Sequence, residues 1–200
     1  MIRSTHQGTA DRGNTMADRT QLYHSGCLTD GWRLFGGHPA TENGVHGWWF
    51  NVWAPHARAV SVVGDFNGWD PDKMPLSPKG EFWQGFVPDL PVYTSYKYAV
   101  TGVDGRIRYK ADPYGFHTET RPGTASKLYD VEHFRWTDEA FRKAKQPVYH
   151  QPLNIYEVHL GSWRKRENGD FLDYRDMARQ LAAYVKDMGY TAVELLPVTE

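Results

Sequence analysis

The chain has 200 residues with 23 basic and 24 acidic side chains, a formal net charge of −1. That length admits one or two domains with a sizeable core, and the near-neutral balance gives no electrostatic motive for binding nucleic acid or an anionic membrane. A lone cysteine, Cys27, has no partner for an internal disulfide, no apolar run can span a bilayer, and the start lacks a signal-peptide core, so a cytoplasmic location is expected.

Residues 1–20 are polar, almost devoid of apolar side chains, and are expected to be a disordered tail, with Met16 an alternative start. Residues 21–45 read as a lead-in segment, a loop with turn glycines such as Gly36-Gly37 and a few buried aromatics. Between 46 and 133 come short strand signals separated by turns, the pattern of an all-β sandwich of about 90 residues. In His46–Trp53, Trp48, Phe50 and Val52 alternate with Trp49, Asn51 and Trp53. Strands are predicted at 59–63, 81–87, 94–101 and 107–110, with Asp104-Gly105 as a hairpin turn. Residues 134–153 read as a linker with a short helix over 137–144, acidic in its first turn. From 154 to 200 the sequence reads strand, helix, strand: Ile155–Leu160, then Tyr174, Met177, Ala178, Leu181, Ala182, Val185 and Met188 at helical spacing, then Ala192–Leu196. Asp173 suits the N-cap and Gly189 the C-terminal stop. A β-α-β unit needs more parallel strands to bury its faces, so the chain reads as cut short.

These segments resemble a known family. Ile155-Tyr156-Glu157-Val158-His159-Leu160-Gly161-Ser162-Trp163 and Glu194-Leu195-Leu196-Pro197-Val198-Thr199-Glu200 look like the first β-α-β of the catalytic barrel in 1,4-α-glucan (glycogen) branching enzymes of glycoside hydrolase family 13. Phe50-Asn51-Val52-Trp53-Ala54-Pro55, Val62–Asp70 and Asp112-Pro113-Tyr114 resemble the carbohydrate-binding module of family 48 that precedes that barrel. The resemblance implies a multi-domain fold: an immunoglobulin-like β-sandwich followed by the first β-α-β unit of a truncated (β/α)8 barrel. It also implies that the full protein, expected to be a monomer, cleaves an α-1,4-glucan by a retaining double displacement and transfers the chain to a 6-hydroxyl. Two other readings stay open, a stand-alone glycogen- or starch-binding module and a piece of a debranching or malto-oligosyltrehalose trehalohydrolase relative.

Candidate site residues divide by chemistry. Trp69 lies in the turn Phe66-Asn67-Gly68-Trp69-Asp70, where core burial is least natural, and is the best ring for stacking on a sugar. Lys97 alternates with Tyr96 and Tyr98 and should face away from them, its ammonium within reach of a hydroxyl. Trp53 and Trp83 lie on strands and read as core. The family resemblance assigns glucan contacts to the places of Trp69 and Lys97, matches Thr124, and leaves Tyr109 as the nearest aromatic where relatives carry a second tryptophan; Ser126 stands where they have Asn. Transfer at an α-glucosidic bond needs two carboxyl groups, one a nucleophile and one an acid and base, and in the resembled family these and a stabilising Asp come from strands four, five and seven of the barrel. No catalytic residue is therefore expected in this chain. Glu157 and Glu194 each read as a member of a structural ion pair and His159 as a hydrogen-bonded structural residue. The nine histidines and Cys27 show no metal-ligand spacing, and no cofactor is implied. The expected partner is α-glucan.

Overall fold

The computed structural model describes residues 16–132, 134–145, 147 and 150–198. Positions 1–15 of the expected tail lie outside that range, while residues 16–20 begin helix α1, Met16–His24. The chain divides into two compact units, one ending at Arg135 and the other starting at Trp136.

The first unit is built from two antiparallel sheets. One has the order β1-β2-β5-β4, with β1 at Gly36–Glu42, β2 at Val45–Trp53, β4 at Ser77–Lys79 and β5 at Phe82–Pro88. The other runs β3 (Ala59–Val63), β6 (Ser95–Thr101), β9 (Ser126–Lys127), β8 (His117–Thr118), and β7 (Ile107–Lys110) also pairs with β6. The two-residue pleat decides what is buried. Trp48, Phe50 and Val52 of β2, Val60 and Val62 of β3, Val87 of β5, and Tyr96 and Tyr98 of β6 meet in one core with Leu76 and Leu128. Each such side chain contributes about 1.5–3 kcal/mol by leaving water.

Two expectations change. The lead-in is more than a loop: β1 pairs along its length with β2. Gly37, which looks like a turn residue, serves close packing instead, since a Cβ there would sit 3.1 Å from both Leu128 and Phe50. Trp53, read as core, lies on the outer side of the pleat and is 41% exposed. Its ring packs on Tyr23 at 5.6 Å, and its Nε1 donates to Glu81 at 3.3 Å. Trp83 does pack against the core, donating to the Ala54 carbonyl at 3.0 Å.

Asp112 ties the far end of the core together. Its Oδ2 accepts the hydroxyls of Tyr96 at 2.6 Å and Tyr98 at 3.1 Å, and its Oδ1 accepts the Tyr114 amide at 2.8 Å. The Asp112 amide in turn donates to Ser126 Oγ. Burial pushes this carboxyl above its ordinary value, against the pull of the donors, and burial likewise pushes both tyrosines up.

In the second unit, β10 (Ile155–Val158) runs parallel to β11 (Ala192–Leu195). Ahead of them lies α2, Glu139–Ala144, laced by Arg142–Asp138 and Lys143–Glu139 pairs one turn apart. The strand expected to reach Leu160 stops at Val158, because the His159 carbonyl accepts the amides of Ser162 and Trp163 and winds Leu160–Trp163 into a single turn, α3. Helix α4, Tyr174–Asp187, connects the strands; Asp173 accepts the Asp176 amide at 2.8 Å as N-cap, and Gly189 takes the left-handed φ of +76° beyond its end. Tyr184 of α4 packs on Tyr156 of β10 at 5.3 Å, while Met177 and Leu181 are its buried residues. The ion pairs expected for Glu157 and Glu194 are not seen among the described residues: the two are register partners on adjacent strands, like charges side by side, and both are exposed.

Two measurements check this description. A carboxyl whose pKa is higher folded than unfolded contributes stability that is complete below its unfolded value, near 3.8, and is lost as pH rises through the folded value. The thermal midpoint of wild type relative to Asp112→Asn should therefore fall between about pH 3 and about pH 7; a difference that stays flat or rises contradicts the raised carboxyl. In hydrogen exchange, amides of β2, β5 and β6 should be protected at least about tenfold more than those of β10 and β11, which have few buried apolar neighbours. Equal protection would show that the second unit is as well packed as the first.

Candidate functional site

The outer face of the second sheet follows from the core. With Tyr96 and Tyr98 turned inward, Ser95, Lys97 and Ala99 of β6 must point out. Lys97 Nζ donates to Thr124 Oγ1 at 2.6 Å, so two of the four predicted site residues are in direct contact, and two of the ammonium's three N–H donors remain for other acceptors. Tyr109, on β7, is the register partner of Ala99, which places it on the same face one strand away; it is 49% exposed.

Trp69 approaches from the other side of β6. Val63, last residue of β3, is the register partner of Lys97. Gly64 then starts a tight turn with a 3-10 segment at Asp65–Asn67. The buried side chain of Asn67 clamps it, accepting the Gly64 amide at 3.0 Å and donating to the Val62 carbonyl at 2.9 Å. Any side chain at 64 would collide with the Ser95 carbonyl, 2.4 Å from a Cβ, and Gly68 closes the turn at a φ of +68°. Trp69 itself has a φ of +59°, uncommon for a bulky residue and costing about 1–2 kcal/mol. Its amide bonds the Gly64 carbonyl at 2.9 Å, and its indole N–H donates to Asp65 Oδ1 at 2.7 Å. Backbone and side chain together fix the indole in a half-buried position.

A ring thus rises on the β3 side of Lys97 and another on the β7 side. Strands β3 and β7 flank β6, so the two platforms belong to strands about 10 Å apart. Two groups the sequence reading passed over complete the face. Asp65 is the orienting partner of Trp69. Glu119 accepts Ser95 Oγ at 3.1 Å and the Ala125 amide at 2.9 Å, and that amide, with lesser help from Ser95, holds its carboxyl below the ordinary range and ionised. Ser95 shares the side of β6 that carries Lys97, and nothing local in sequence pairs it with Glu119. Flat rings flanked by an ammonium, hydroxyls and a carboxylate can stack on and hydrogen-bond a neutral polyhydroxylated ligand.

The second unit offers less chemistry. His159 Nδ1 lies 3.0 Å from Ser162 Oγ, and the charged loop after Trp163 is anchored by Arg166 to Asp173 and Asp176 at 3.2 and 2.8 Å. A groove of about 310 Å³ lined by Leu160, Tyr174, Met177, Leu181, Leu195 and Val198 is almost wholly apolar. Among the described residues no cluster of His, Cys, Asp or Glu could hold a metal ion, and no helix is long and apolar enough to cross a membrane. Cys27 is a free, exposed thiol.

Residues 34–115 match the family carbohydrate-binding module 48 (isoamylase N-terminal domain). The match takes in β1, the Trp69 turn, Lys97 and Tyr109; Thr124 falls beyond it. Over 184 residues the chain is 45% identical to the 1,4-alpha-glucan branching enzyme GlgB of Geobacillus stearothermophilus, and over 183 residues 44% identical to that of Halothermothrix orenii; each alignment covers 90% of this chain. The chain spans about 29% of the length of these relatives. In structure it is similar, with a TM-score of 0.60, to the catalytic module of the multi-modular glycogen-degrading pneumococcal virulence factor SpuA, over 84% of this chain and 29% of that one. At 20% identity that likeness is one of fold.

Proposed function

We propose that this chain is the N-terminal part of a glycogen branching enzyme acting in the cytoplasm, and that its sandwich holds α-glucan on the outer face of the second sheet. The observation that carries the second half is the Lys97–Thr124 contact flanked by the half-buried Trp69 ring and the exposed Tyr109 ring, on a unit matching a carbohydrate-binding family. The first half rests on the branching-enzyme relatives and on the state of the second unit. A parallel strand pair is stable when both faces are covered, yet Ile155, Val193 and Leu195 are 45, 39 and 48% exposed. On this reading the pair, with α4, opens a (β/α)8 barrel whose later strands cover those faces and carry the reacting carboxylates.

The whole enzyme would cleave an α-1,4 bond through a covalent glycosyl intermediate on one carboxylate. The second carboxyl would protonate the leaving oxygen and then deprotonate the incoming 6-hydroxyl. None of these steps is assigned to a residue of this chain. The purified 200-residue chain should accordingly leave amylose unbranched in an iodine-absorbance assay; measurable branching would refute the division of labour.

The binding half is tested on glycogen. Wild type should be retarded in affinity electrophoresis through glycogen, and Trp69→Ala, which removes one stacking face, should lose on the order of tenfold in affinity. Wild-type mobility unchanged by glycogen would reduce the sandwich to a structural support.

A further inference from the structure

The outer face of the second sheet does not end at Lys97. Beyond the β6–β9 ladder the pairing bulges: the Leu128 carbonyl accepts the Tyr93 amide at 2.7 Å while the Leu128 amide donates to the Thr94 carbonyl at 3.0 Å, so Tyr93 and Thr94 together oppose Leu128. Ser95 pairs with Lys127, which puts the two side chains on one side of the sheet. His117 of β8 also pairs with Lys127, on that same outward side. The three rings meet: Tyr93 and His117 at 5.4 Å, Tyr93 and Tyr129 at 5.7 Å, His117 and Tyr129 at 5.8 Å. Tyr93 is 56% exposed and is held at a φ of +70°, a conformation that a bulky residue takes up only at a cost.

We propose that Tyr93, braced by His117 and Tyr129, is a further sugar-stacking platform that extends the glucan site along β6, so that this face prefers longer linear α-glucans over disaccharides. The proposal rests on the glucan-binding reading above. Tyr93 lies four residues ahead of Lys97 and two ahead of β6, a separation of at most about 13 Å, further than one sugar ring reaches. The intervening surface carries Ser95, Glu119 and Lys127, groups that exchange hydrogen bonds with sugar hydroxyls. An aromatic ring buried on one side and open on the other is what a pyranose face needs, and the braced Tyr93 has that form.

Calorimetric titration of the full chain with maltose and with maltoheptaose tests it. Tyr93→Ala should weaken maltoheptaose about five- to tenfold while leaving maltose unchanged, Tyr93→Phe should behave as wild type, and Lys97→Ala should weaken both sugars. Tyr93→Ala binding maltoheptaose as wild type does would overturn the platform and leave the glucan-binding reading intact. Binding of neither sugar by wild type would remove that reading and the platform with it. If Tyr93→Ala unfolds, nitrogen-15 chemical-shift mapping on wild type decides the matter: maltoheptaose, but not maltose, should move the amides of Tyr93, His117 and Tyr129, and their silence would overturn the proposal.

Discussion

Strand β6 cannot slip by one residue. Its tyrosines at 96 and 98 must lie inward, because Asp112 is buried there and needs both hydroxyls as donors. A one-residue shift would strand a buried carboxylate without partners and push two phenols into water, a loss of several kcal/mol. The same pleat then fixes Ser95, Lys97 and Ala99 on the outside, opposite Lys127, Val63 and Tyr109. The core lock and the proposed binding face are thus two sides of one register. Every group of that face is reached from β6 by a strand pairing, by the turn leaving β3, or by the Thr124 contact.

That dependence explains the order in which the site can be read. Lys97 is legible from three consecutive residues, since alternation with two tyrosines fixes its side. Strands β3 and β7 are legible at their bounds, because a β-branched run and an Asp-Gly turn are local signals. Trp69 shows as an aromatic in a turn, though the turn's left-handed backbone and the Asp65 bond that aim it do not. Thr124 enters only through family resemblance, because nothing in Gly123–Ser126 announces contact with a lysine 27 positions earlier. Tyr93 is less legible still: its surroundings depend on a pairing that continues past the strands and on β8, a strand of two residues.

The misreadings share a cause. Gly36-Gly37 looks like a turn because glycine usually marks one; here Gly36 holds a φ of +98° at the start of a strand, and Phe50 and Leu128 press against Gly37. Trp53 looks like core because it is large and on a strand, yet the pleat puts it outside, where Tyr23 from the N-terminal helix partly covers it. In both places a distant segment decides, and local propensity carries no trace of it.

The two units differ in what their strands can bury, and the difference bears on the proposed function. In the sandwich each sheet presents one apolar face to the other, so antiparallel strands with polar outer faces suffice. The pair β10-β11 has β-branched and aliphatic residues on both faces, with Ile155 and Leu195 largely open to water. Helix α4 has the same surplus: Tyr174 at its start and Met188 just past its end are 68 and 53% exposed. An apolar groove of that kind, lined by helix and strand alike, is poorly suited to a neutral sugar, because it offers almost no hydrogen-bonding group. It suits further packed elements of the same kind. Under the proposed function, glucan binding therefore falls to the outer face of the sandwich, and the second unit opens a larger parallel barrel.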